Sequence, residues 1–175
     1  MKIYFEIEEI DVNIEPTSVA LGTFDGLHIG HAEVLNEMKK VAKDEGLKSF
    51  VYTFSNHPKE VISPDNVPSK IMDIEEKVQI FTRFDIDYLA LIKFDQEQTN
   101  YDPEEFVSEI LIKKLNMKHL TVGYDYKFGK FAQGDTSLLI SLSEKYGYTY
   151  HIVQPIMRNN VRVSSSLIRE LLTDG

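Results

Sequence analysis

Ser18-Val19-Ala20-Leu21-Gly22-Thr23-Phe24-Asp25-Gly26-Leu27-His28-Ile29-Gly30-His31-Ala32-Glu33-Val34-Leu35 is the stretch from which the rest of the chain is read. Its apolar opening, Ser18 to Leu21, has the character of a buried strand, and the pattern from Ala32 to Met38 is helical. His28 and His31 therefore flank a helix N-terminus, three residues apart and on one face. Free N–H groups and the positive end of the helix dipole favour an anion there. Gly26 permits the tight turn, and Gly30 removes a side chain from the surface that a nucleotide would touch. The bland alternative for any H-x-x-H pair is a helix cap with two satisfied histidines. Here strand, glycine turn and helix together favour a nucleotide-binding active site.

Outward from this point, strand-like and helix-like segments alternate, which is the signature of a parallel sheet with helices on its faces. Strands are expected at Val19–Thr23, Ser49–Phe54, Tyr88–Phe94, Leu120–Val122 and Tyr148–Val153. Helices are expected near His31–Glu45, Ile74–Phe84, Pro103–Leu115 and Thr136–Tyr146, with a last one from about Ser166 to Leu172. The fold class is α/β, a doubly wound, Rossmann-like parallel sheet in a single domain of residues 1–175. Met1–Ile10 is ambiguous, with an edge strand as one reading. Asn56–Lys70 carries three prolines and reads as an irregular loop.

Composition sets limits on partners. A chain of 175 residues with 42% hydrophobic side chains is long enough to bury a sizeable core. Its net charge of -9, with no long Lys/Arg cluster, disfavours a nucleic-acid partner, whereas a small anionic ligand needs only local positive groups. The N-terminus lacks the apolar core of a signal peptide and no apolar run is long enough to span a bilayer, so a cytoplasmic protein without a membrane partner is expected. With no cysteine and five scattered histidines, disulfides, thiolate chemistry and a Cys-based zinc site are excluded.

A second anion site is legible in Arg162-Val163-Ser164-Ser165-Ser166-Leu167-Ile168-Arg169, where a hydroxyl cluster meets a helix start and two guanidinium groups. An ordinary N-cap followed by a salt-bridged helix is the alternative for this segment alone. Two aromatic loops follow strands: Thr53-Phe54-Ser55-Asn56-His57-Pro58-Lys59-Glu60-Val61, and Val122-Gly123-Tyr124-Asp125-Tyr126-Lys127-Phe128-Gly129 continuing to Gly134-Asp135. Phe54, Pro58, Tyr124, Tyr126 and Phe128 offer flat apolar faces, while His57, Lys127 and Lys130 offer donors. The glycine-flanked Tyr126 and Phe128 read as a flap, Phe54 equally as core, and Asp135 as the N-cap of the next helix.

His28-Ile29-Gly30-His31 resembles the HIGH signature of the nucleotidyltransferase superfamily, and Val163-Ser164-Ser165-Ser166-x-Ile168-Arg169 its I-S-S-T-x-I-R element. The two aromatic loops resemble the T-F-x-P-H-P-x-E-V and V-G-x-D-F-x-F-G-x-x-x-x-G-D patterns of the adenylyltransferase module of bacterial FAD synthetase. The match runs in order along nearly the whole chain. Departures are Asn56 for proline, Tyr126 for phenylalanine and Ser166 for threonine. Loss of the proline ring is expected to loosen a loop near the flavin.

The resemblance implies transfer of AMP from ATP to FMN, giving FAD and pyrophosphate, with Mg2+ accompanying ATP and small-molecule partners alone. His28, His31, Arg162, Ser165, Ser166 and Arg169 are the expected catalytic set, and Gly22, Phe24, Asp25, Gly30 and Asp125 the expected ATP contacts. Phe54, His57, Pro58, Tyr126 and Phe128 are expected at the flavin. Asp25 or Asp125 would support the metal or orient a histidine. No riboflavin kinase domain is expected within the chain. The competing readings are a cytidylyltransferase or an adenylyltransferase for another phosphorylated acceptor, and a nucleotide-binding regulator without turnover.

Overall fold

In a computed structural model, which describes residues 1–173, six parallel strands form one sheet. Asp174 and Gly175, the end of the expected domain, lie outside the described residues. The strands are β1 (Lys2–Tyr4), β2 (Thr17–Leu21), β3 (Lys48–Phe54), β4 (Tyr88–Ile92), β5 (Met117–Gly123) and β6 (Thr149–Val153). Their spatial order is β1-β4-β3-β2-β5-β6. From β2 the chain moves to β3 and β4 on one side and later to β5 and β6 on the other. The order therefore reverses at β2, and the crevice beyond its carboxyl end is where such sheets bind ligands.

The helices divide between the faces. On one lie α1 (Ile29–Glu45) and α2 (Ile74–Arg83), burying Val34, Leu35, Met38 and Phe81 against Ala20, Val51 and Leu89. On the other lie α3, which opens at Pro103–Glu105 and continues through Phe106–Lys114, and α4 (Thr136–Tyr146). They bury Phe106, Leu111 and Leu139 against Val19, Phe50 and Leu120. Being covered on both faces is why β2 and most of β3 are fully buried. The hydroxyls of β2 are satisfied, Ser18 Oγ donating to Met38 O at 2.9 Å and Thr17 Oγ1 to Leu115 O at 2.7 Å, whereas Thr121 Oγ1 on β5 is buried without a partner. Helix starts are capped as their sequences suggest. Asp73 and Glu76 form a reciprocal capping box on α2, and Asp135 accepts from Leu138 N at 3.0 Å to start α4.

Five expectations are refined. Lys2–Tyr4 is an edge strand, paired in parallel with β4, and is followed by a single helical turn at Ile7–Glu9. β4 ends at Ile92, because the Phe94 backbone pairs with the Asn56 side chain and not with a strand. β5 extends back to Met117 because His119 is buried, its Nδ1 2.7 Å from Thr149 Oγ1 on β6. Within Asn56–Lys70 the chain makes a helical turn at Lys59–Ile62. The last helix, α5 (Ser165–Thr173), starts at Ser165 with the Ser164 hydroxyl accepting from Leu167 N at 3.2 Å.

Candidate active site

A cleft of about 890 Å3 opens beyond the carboxyl ends of β2, β3, β5 and β6. One wall is the start of α1. His28 is its N-cap, Nδ1 accepting from His31 N at 3.3 Å. With Nδ1 accepting, a neutral His28 carries its proton on Nε2. The two imidazoles stack, centroids 3.7 Å apart and 14° from parallel. His31 is also braced edge-on by Phe24 at 5.4 Å, and Phe24 by Phe81 at 5.7 Å. Phe24 is only 1% exposed, so its ring serves mainly as the floor under His31. The close approach of these rings explains two glycines. A Cβ on Gly22 would stand 3.0 Å from the Phe24 ring, and one on Gly30 3.1 Å from His28 Cε1.

Burial drives the His31 pKa down to about 3, assisted by His28 and the Lys77 ammonium. Burial also lowers that of His28, partly opposed by the Asp125 carboxylate. Both rings are therefore neutral near pH 7, and His31 Nδ1 is buried without a hydrogen-bond partner. An arriving anion would favour protonation of the pair.

The facing wall is the start of α5. Ser164, Ser165 and Ser166 line the cleft, and Ser165 Oγ donates to Asp25 O at 2.7 Å, tying this helix to the turn that follows β2. Arg169 is not turned toward the cleft. Its guanidinium pairs with the Asp25 carboxylate, and its Nε donates to Ser69 O at 2.7 Å. The paired side chains are 16% and 14% exposed, and neither lines the cleft. Asp25 Oδ1 also accepts from Ile71 N at 3.4 Å. Arg162 does line the cleft, held by a hydrogen bond to the Tyr124 hydroxyl, 5.8 Å from that ring's centroid.

The far half of the cleft is aromatic. Phe54 meets Phe94 edge-on at 4.9 Å, Tyr126 stacks on Phe128 at 5.8 Å, and Pro58 completes this side. Phe128 is not a free flap: it is 8% exposed and packs on Phe106 at 5.7 Å. Asn56 does not loosen its loop. Its Oδ1 accepts from Phe94 N at 2.7 Å and its Nδ2 donates to Phe94 O at 3.0 Å, so the side chain extends the β3–β4 pairing where β4 has ended. His57 lies outside the lining, its Nδ1 accepting from Lys59 N at 3.1 Å. Lys127 pairs with Asp135 at 3.4 Å.

Lys77 was not singled out from the sequence. It is 8% exposed on α2, and its Nζ donates to Thr23 O at 2.6 Å and Phe54 O at 3.1 Å, with Thr53 Oγ1 at 3.4 Å. It thus joins the turn that leads to the histidines to the first aromatic loop. The signal for it was its place on the inner face of an amphipathic helix, one turn before the buried Phe81.

A Rossmann-like sheet with a histidine helix and a serine helix facing each other across its switch point is a nucleotidyltransferase arrangement. The FAD synthetase family model matches residues 11–167, and the chain belongs to that family. The relatives include bifunctional riboflavin kinase/FMN adenylyltransferases from Buchnera aphidicola (30% identical, 97% of this chain and 53% of the relative), Escherichia coli K12 (30%, 89% and 50%) and Bacillus subtilis (31%, 90% and 49%). The chain thus spans about half the length of the curated relatives it matches. A crystal structure described as a macrolide-efflux protein from Streptococcus pneumoniae superposes with a TM-score of 0.84 at 28% identity, over 99% of this chain and 57% of that one. Among the described residues here, no helix is long and apolar enough to cross a membrane.

Proposed function

We propose that this chain transfers AMP from ATP to FMN, giving FAD and pyrophosphate, as a single adenylyltransferase domain acting on small molecules in the cytoplasm. The observation that carries the reading is continuity: one cleft joins a wall of histidines and helix N-termini to a wall of aromatic rings. The first suits a triphosphate, the second an isoalloxazine ring. Riboflavin phosphorylation is not assigned to these residues, and neither nucleic acid nor membrane is assigned as a partner.

The FMN phosphate is already an anionic nucleophile. In-line attack on the α-phosphorus of ATP forms the new P–O bond as the bond to the β-phosphate oxygen breaks, and pyrophosphate leaves with the electron pair. No proton needs to be removed from the nucleophile, so the residues position groups and neutralise charge. His28 and His31 hold the α-phosphate and stabilise charge on its oxygens. Ser165, Ser166, the first-turn N–H groups of α5 and Arg162 receive the departing pyrophosphate. Asp25 and Arg169 keep the two walls in register. Among the described residues no three His, Cys, Asp or Glu side chains cluster as a metal cage. Asp125 lines the cleft, and one carboxylate there fits a magnesium ion whose other ligands are substrate phosphates. Such an ion would neutralise charge on those phosphates.

The test is incubation with ATP, magnesium and a panel of phosphorylated acceptors, with products separated by chromatography. FAD from FMN, dependent on magnesium and abolished by a chelator, is expected. A different adenylylated product would reassign the acceptor, and binding of both ligands without turnover would make the chain a nucleotide-binding regulator.

A further inference from the structure

One ring on the rim of the cleft has no place in the core. Phe131 is 81% exposed, the highest value for any large apolar side chain among the described residues, yet it lines the cleft. It falls in the unspecified positions between Gly129 and Gly134 of the second loop pattern, so no motif assigns it a role. Its backbone is left-handed, with φ 55° and ψ 25°, and Ala132 follows with φ 54°. Bulky side chains rarely adopt that region.

The base of this loop is firmly held. Gly129, at φ 70°, lies so close to the start of α3 that a Cβ there would stand 2.7 Å from Pro103 Cγ. Lys130 N donates to Tyr101 O at 2.7 Å, Ala132 N to Gly129 O at 3.0 Å and Gln133 N to Lys130 O at 3.1 Å. The loop also packs against the short helix Gln96–Asn100, beyond β4. That places Phe131 with Phe94, Tyr101 and Phe128 on the aromatic half of the cleft. The Lys130 ammonium lies 5.5 Å from its ring centroid.

We propose that Phe131 is a ligand-contact residue whose ring packs on the flat ring system of the flavin substrate and closes the aromatic half of the cleft from the rim. The inference rests on the FMN reading above and adds a residue that reading does not contain. An anchored loop that presents a bare aromatic ring at a ligand cleft supplies stacking area to a planar ligand without reorganising on binding.

The test uses the full chain carrying Phe131→Ala, Phe131→Leu or Phe131→Tyr, with calorimetric titration of FMN and, separately, of a nonhydrolysable ATP analogue. Because the ring is exposed, all three should melt with the wild type. Phe131→Ala should weaken FMN binding roughly 2- to 10-fold, the usual range for one lost aromatic pair, and leave the ATP analogue unchanged. Phe131→Tyr should restore the affinity, and Phe131→Leu should recover only part of it. Unchanged FMN affinity in Phe131→Ala, where the wild type binds FMN, overturns the proposal. So does a loss confined to the ATP analogue, which would move the ring to the nucleotide side. A wild type that binds no FMN would instead overturn the functional reading, and this inference with it.

Discussion

Lys77→Met removes an ammonium that is 8% exposed and joins the two ligand-bearing loops from beneath. Two opposing effects set the size of the change. Each hydrogen bond to a charged group contributes about 1.5–3 kcal/mol; the Phe54 carbonyl would lose the ammonium, and the Thr23 carbonyl would keep only the Thr53 hydroxyl at 3.1 Å. Against that, burial lowers the lysine from 10.5 to about 8, and at ~1.4 kcal/mol per pH unit the charged form costs on the order of 3 kcal/mol to keep in place near pH 7. The net expectation near pH 7 is a loss of about 1–3 kcal/mol. The pH dependence is sharper. Between about 8 and 10.5 the unfolded chain holds a proton on this lysine that the folded chain has released, so the stability of the wild type rises with pH across that window. Methionine cannot titrate. The stability gap between wild type and variant should therefore widen by roughly 2 kcal/mol from near neutrality to about pH 10. Urea unfolding of both proteins at the two pH values measures this, and taking the difference cancels titrations that they share. A gap that stays constant or narrows would mean that Lys77 is solvated in solution, and the tie beneath the loops would have to be abandoned.

Replacing His28 or His31 by alanine should slow FAD formation by about 10²- to 10³-fold with the fold retained, loss of the His28 cap on α1 costing about 0.5–2 kcal/mol, and full activity in either variant would make that ring structural. Because burial holds both imidazoles neutral, ATP binding near pH 6–7 should take up protons as the triphosphate favours their charged forms. Calorimetry in buffers of different ionisation enthalpy reads this directly, and heats that do not depend on buffer would count against it. Asp25→Asn should cost about 1–3 kcal/mol of stability by weakening the pair with Arg169. It should also weaken ATP binding more than FMN binding, since α5 loses its hold on the turn after β2. Asn56→Ala should weaken FMN about 3- to 10-fold and spare ATP, from the loss of two hydrogen bonds to the Phe94 backbone. Equal losses for both ligands would place that loop between the subsites.

The elements that were plain in the sequence are those whose cause is local. β2 is buried on both faces and shows through its apolar Val19-Ala20-Leu21, although it spans Thr17–Leu21 and not the expected Val19–Thr23, and α1 announces itself through its histidine start. β1 has three residues, too few for any period to show, and is a strand only because β4 lies beside it. The early part of β5 was hidden by Lys118 and His119, and the burial of His119 depends on Thr149, 30 residues away. The candidate site divides in the same way. Its loops were legible one by one, but the roles of Asp25 and Arg169 depend on a pairing across 144 residues that exists only once α5 has docked.

Asn56 shows how a local rule goes astray. Losing a proline relaxes the chain when nothing replaces the constraint. An asparagine amide, however, presents a donor and an acceptor much as a peptide group does, and here both meet the Phe94 backbone. The constraint has passed from the covalent ring to the ladder between β3 and β4. The aromatic wall is therefore held by a contact that a reading of the loop alone cannot contain. Because Asn56 fixes Phe94 and Phe94 packs edge-on with Phe54, the geometry of the flavin side follows from the end of β4 as much as from the loop after β3.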